Sequence, residues 1–92
     1  MVTKEQLCED LKNILRKYTG SDVDDLTPVS KNTLRSLQID SVDRMCILYD
    51  LSREYNNALT DDDVFEFEDS LTNVNFEQLL LELCEIINKN LR

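Results

Sequence analysis

Nineteen carboxylates, three cysteines and one serine set among acids are the residues of this chain that could do chemistry. The serine is Ser41, between Asp40 and Val42-Asp43, where an irregular segment gives way to an amphipathic pattern. A hydroxyl at such a point has two uses. It can be the N-cap of a helix, accepting a backbone N–H, which requires no function. It can also carry a phosphate ester, which the positive end of a helix dipole favours. It has no partner for nucleophilic catalysis, because the chain contains no histidine and both Ser-His and Cys-His arrangements are excluded.

The other groups are less suggestive. Cys8, Cys46 and Cys84 are far apart, form no CxxC pair and have no histidine to complete a zinc site. Each falls within a helical pattern and reads as a small buried or half-buried thiol in a reducing compartment. Asp61-Asp62-Asp63 invites comparison with a calcium loop, but Phe65 stands at the fifth position and Glu66 replaces the sixth-position glycine. With neither a metal set nor a phosphate loop, the carboxylates do not make an enzyme, and no catalytic residue is expected.

The charge is concentrated. Residues 40–69 hold ten acids against two arginines, a net of −8 out of −9 for the chain. Such a field repels nucleic acid and anionic membranes and steers partners with basic patches toward the middle of the sequence. No apolar run approaches membrane-spanning length, and Met1-Val2-Thr3-Lys4-Glu5 lacks the apolar stretch of a signal peptide. The expectation is a cytoplasmic monomer without stable membrane insertion.

The elements that position Ser41 follow from periodicity. Ninety-two residues with one glycine and one proline suit a single all-α domain. Thr3 with Gln6 has the form of a capping box, Leu7, Leu11, Ile14, Leu15 and Tyr18 make one stripe, and Gly20 can end the helix. The first helix is thus expected over 3–18. Residues 19–40 form a long connection of turn formers, with Leu26, Val29, Leu34, Leu37 and Ile39 expected to pin it down. A second helix is expected over 41–55, a short third over 61–68 opened by Thr60, and a fourth over 74–90 with Asn75 and Gln78 as capping pair.

The second helix carries two apolar stripes. Met45, Leu48, Leu51 and Tyr55 share one arc, expected to be core. Val42, Cys46 and Tyr49 form a narrower one bordered by Asp43, Asp50 and Glu54. That second stripe either packs inside a small bundle or is offered to a partner.

Leu37-Gln38-Ile39-Asp40-Ser41-Val42 resembles the signature of acyl carrier proteins, usually Leu-Gly-x-Asp-Ser-Leu, and the helix order extends the resemblance over most of the chain. The resemblance implies a four-helix bundle with a short third helix and a long loop between helices one and two. It implies that Ser41 bears a 4′-phosphopantetheine arm, attached from coenzyme A by a phosphopantetheinyl transferase. The arm would hold acyl groups as thioesters for acyl-transferring, condensing or ligase enzymes with basic docking patches. Asp40, Val42, Asp43, Cys46, Tyr49 and Asp50 would then face partners, and Met45, Leu48, Leu51, Val64 and Phe67 would line an acyl cavity.

The chain also departs from the pattern. Gln38 replaces the glycine, which implies a backbone that does not depend on positive φ there. Arg35-Ser36, Val42, Arg44 and Cys46 are further differences, and they point to a specialised member of a fatty-acid, polyketide or related pathway rather than a housekeeping carrier. The alternative from the residues alone is a small acidic interaction module in which Ser41 is only a cap.

Overall fold

A computed structural model describes residues 1–91, and among them the regular structure is helical: α1 Lys4–Thr19, α2 Ser41–Glu54, α3 Asp61–Asn73 and α4 Phe76–Asn90. A single 3-10 turn, Arg35–Leu37, interrupts the connection between α1 and α2. α2 packs against both α1 and α3, and α4 against α1, in a bundle of 34 × 26 × 20 Å.

Each start is written locally. Thr3, Thr60 and Asn75 are N-caps whose side chains accept from the backbone N–H of Gln6, Asp63 and Gln78. At Thr60 the box closes, because the Asp63 carboxylate accepts the Thr60 N–H in return. Gly20 ends α1 at φ 65°, its N–H bonded to the Arg16 carbonyl at 2.9 Å. Glycine meets that left-handed conformation without Cβ strain.

The core is apolar and closed. Leu7, Leu11 and Leu15 of α1 meet Phe76, Leu79, Leu80 and Leu83 of α4, all fully buried. Each such side chain contributes about 1.5–3 kcal/mol on leaving water. The ends of the chain are tied as well: the Asn88 side chain accepts from Val2 N at 2.8 Å and donates to Val2 O at 3.0 Å.

The long connection has a structural task. Val23, Leu26, Leu34 and Ile39 are buried, whereas Val29, expected among the pins, is 58% exposed. The segment then crosses the start of α4, where the Asn32 and Ser30 carbonyls accept from the N–H groups of Phe76 and Glu77 at 2.8 and 2.9 Å. Those amides have no partner within their own helix, so the loop completes it.

α3 differs from the expectation of a short helix ending at residue 68. It continues to Asn73 because Leu71 and Thr72 are buried, Leu71 lying two turns beyond Val64 on the same face. Ser70, Thr72 and Asn73 are weak helix formers, and burial overrides that preference. Only Val74 and Asn75 then separate α3 from α4. Among the described residues no helix is long and apolar enough to cross a membrane.

Candidate functional site

The site is built at the corner where the long connection becomes α2. The turn Arg35–Leu37 stops at Gln38, which takes φ 54°, ψ 45° and donates its N–H to the Arg35 carbonyl at 3.0 Å. The expectation that a glutamine here avoids positive φ is therefore corrected: the chain needs the left-handed residue to reverse direction and uses it despite the Cβ. Ile39 then turns into the core, 6% exposed.

Asp40, not Ser41, is the N-cap. Its backbone is extended at φ −75°, ψ 171°, and its side chain accepts the Asp43 N–H at 2.8 Å. Its carbonyl accepts the first intrahelical bond, from Arg44 N at 2.9 Å. The reading of Ser41 as a cap is corrected accordingly. Aspartate caps as well as serine does, and it comes one residue earlier. Ser41 is the first helical residue, exposed, and no hydrogen bond engages its hydroxyl among the described residues. A phosphate ester on that oxygen would stand at the positive end of the α2 dipole.

Arg44 lies one turn further on and is fully engaged. Its Nε and Nη2 donate to Glu68 Oε1 of α3 at 3.1 and 2.7 Å, and its Nη1 donates to the Ile39 carbonyl at 2.6 Å. Its positive charge is thus neutralised within the fold rather than offered at the surface.

The second stripe is outward at one end and braced at the other. Val42 is 67% exposed, Cys46 and Tyr49 are half-buried, and the Tyr49 phenol donates to Asp61 Oδ1 at 3.0 Å. That bond to an anionic acceptor pushes the Tyr49 hydroxyl above its ordinary ionisation range. Asp43 is partly exposed beside Val42, and Asp61, Asp62 and Glu54 are exposed. Asp50 leaves the set of partner-facing acids. Its side chain is 10% exposed, accepts from Tyr18 Oη at 2.7 Å and Lys17 Nζ at 3.3 Å, and pairs with Arg53. It ties α1 to α2.

The residues assigned to an acyl cavity form part of the closed core. Leu48, Leu51 and Val64 are fully buried, while Met45 and Phe67 pack half-buried against it. Fully buried Ile47, rather than Met45, completes the inner arc of α2. Phe67 borders a surface groove of about 220 Å³ with Glu82, Glu85, Ile86 and Lys89. A larger surface hollow, about 440 Å³, belongs instead to the long connection and is lined by Leu26, Asn32, Leu34, Arg35 and their neighbours.

Three contacts near the site have no signal in the local sequence. Arg44–Glu68 spans 24 positions and Tyr49–Asp61 spans 12. Buried Ser52 holds the α2–α3 turn by accepting from Leu59 N and donating to Leu59 O, at 3.0 and 3.2 Å. The thiols do sit as read, Cys8 buried and Cys46 and Cys84 half-buried, and no group of three or more metal-ligating side chains gathers among the described residues. Comparison of the chain with protein-family models, with curated proteins and with solved structures finds no match.

Proposed function

We propose that the protein is a non-catalytic acyl carrier, with Ser41 as the attachment point of a 4′-phosphopantetheine arm. One observation carries this reading: the Ser41 hydroxyl is exposed at the head of α2 and is released from capping because Asp40 performs that task. In the alternative of a small acidic interaction module, Asp40 rather than Ser41 would be the cap. The motif Leu37-Gln38-Ile39-Asp40-Ser41-Val42 supplies the family context.

The residues present suit the group. Ser41 would supply the alkoxide oxygen of a phosphodiester, and the head of α2 favours the negative charge this introduces. When bound, the arm supplies a terminal thiol able to hold an acyl group as a thioester. Asp40, Val42, Asp43, Cys46 and Tyr49 would form the surface read by the transferase and by acyl-handling enzymes with basic patches, with the acidic field steering approach. Met45, Leu48, Leu51, Val64 and Phe67 are the side chains that would have to part for an acyl chain to enter the bundle.

The test is incubation with coenzyme A and a broad-specificity phosphopantetheinyl transferase, followed by intact-mass measurement. The wild-type chain should gain one phosphopantetheine and Ser41→Ala none. An unmodified wild type, or an adduct on Ser41→Ala, sinks the assignment.

A further inference from the structure

Arg44 of α2 joins the backbone entering Ser41 to the neighbouring helix α3. Its guanidinium reaches the Ile39 carbonyl, two residues before Ser41, at 2.6 Å, and Glu68 of α3 through two N–H groups at 3.1 and 2.7 Å. Both charged side chains are 21% exposed, so the pair is shielded from much of the solvent and salt that weaken surface bridges. The Ile39 carbonyl lies just beyond the helix, where α2 itself supplies it with no N–H. A lysine could not serve, since only the planar fork of arginine holds both acceptors at fixed angles.

We propose that Arg44 is a positioning residue for the modification of Ser41, and that Glu68 orients it. The guanidinium pins the Ile39 carbonyl to α3 and so fixes the direction in which the Asp40–Ser41 corner leaves the loop. The segment needs such a pin. It approaches through Gln38 in a left-handed conformation that L side chains resist, and it is held on the other side by burial of Ile39. Glu68 makes the pin dependent on α3, which also holds the incoming segment further back, where Arg35 Nε and Nη2 donate to Asn73 Oδ1 at 3.3 and 3.1 Å. This inference rests on the carrier reading of Ser41 for its functional consequence, but its structural claim stands on the geometry alone.

The experiment compares wild type, Arg44→Gln, Glu68→Gln and the charge swap R44E/E68R by amide hydrogen exchange and by transferase kinetics. In Arg44→Gln the Asp43 and Arg44 amides, which bond Asp40, should lose protection by about tenfold, the effect of losing a charge-assisted bond. The modification kcat should fall by about tenfold with a smaller change in KM, since a misdirected hydroxyl affects the chemical step more than docking. Glu68→Gln, which keeps the bond to Ile39, should fall between the two and remains informative if Arg44→Gln folds poorly. The swap restores an ion pair between α2 and α3 but sets a carboxylate opposite the Ile39 carbonyl. It should recover thermal stability without recovering protection or kcat. Unchanged exchange in Arg44→Gln overturns the proposal, and so does full recovery by the swap, which would reduce the pair to a bridge between helices. A wild type that takes no arm at all defeats the carrier reading, while the exchange data still decide the role of Arg44.

Discussion

Replacing Gln38 by glycine should make the protein more stable, although it deletes a side chain. Gln38 sits at φ 54°, ψ 45° with its side chain exposed and in no hydrogen bond among the described residues. The left-handed conformation costs an L residue about 1–2 kcal/mol. Glycine removes that cost but loosens the unfolded chain by about 0.4–1 kcal/mol. The balance favours Gln38→Gly by about 0.5–1 kcal/mol, which for a domain of this size raises Tm by about 2–8 °C. Gln38→Ala keeps the Cβ and loses no contact, so it should remain within about 0.5 kcal/mol of wild type. Asn57→Gly is a further control: Asn57 also has positive φ, at 58°, but asparagine tolerates that region, so its gain should be smaller. Thermal unfolding by circular dichroism, with urea titration to check that the slope is unchanged, measures all three. A Gln38→Gly variant with unchanged or lowered Tm would refute the argument that this corner is strained.

Other perturbations separate structural from partner-facing residues. Asp50→Ala leaves the partly buried Tyr18 hydroxyl without its acceptor, while the exposed Lys17 ammonium returns to water, and urea unfolding should show a loss of about 1–3 kcal/mol. Asp43→Lys, at a carboxylate that makes no side-chain hydrogen bond or ion pair among the described residues, should shift stability by less than about 1 kcal/mol, the size of a dipole term, while slowing modification by the transferase. Ser52→Ala leaves the buried Leu59 N–H and carbonyl without their partner and should lower stability by about 1–3 kcal/mol. Stability should also fall on the alkaline side. Burial raises the Cys8 and Cys84 thiols above the ordinary thiol range, and burial with the Asp10 carboxylate raises the Tyr55 phenol above the ordinary phenol range. Each group then ionises more readily in the unfolded chain, so its contribution is intact below the unfolded pKa and lost as pH climbs past it. The decline should start near pH 9 and steepen above pH 10, and Tyr55→Phe should flatten the second part when unfolding is followed across that range.

Much of this molecule is legible in its sequence because its helix boundaries are local events. Thr3, Thr60 and Asn75 cap the N–H three residues onward, and Gly20 ends α1, all within one turn of chain. The three- and four-residue spacing of apolar side chains along α1 and α4 likewise places their buried faces without knowledge of what they meet. At Ser41 the local reading went one residue astray, since Asp40 and Ser41 are equally good caps and only the path of the incoming backbone chooses between them.

What sequence could not decide are the properties that depend on a neighbouring element. The five extra residues of α3 are held helical because Leu71 and Thr72 are buried, against their own propensity. Asp50 has the local look of a surface acid and is drawn inward because α1 presents Tyr18 and Lys17 to it. Ile47 replaces Met45 in the inner arc because α2 must face both α1 and α3, a rotation that one helical wheel does not specify. Arg44 is a free cation on paper and an internal pin in the fold, joined to a glutamate 24 positions away. By itself the sequence determined the helical class, the acidic middle and the motif around Ser41, because short-range hydrogen bonding and apolar periodicity act within a few residues. The tertiary structure decided which acids remain exposed and how the Ser41 corner is held, because burial and charge pairing depend on distances in space.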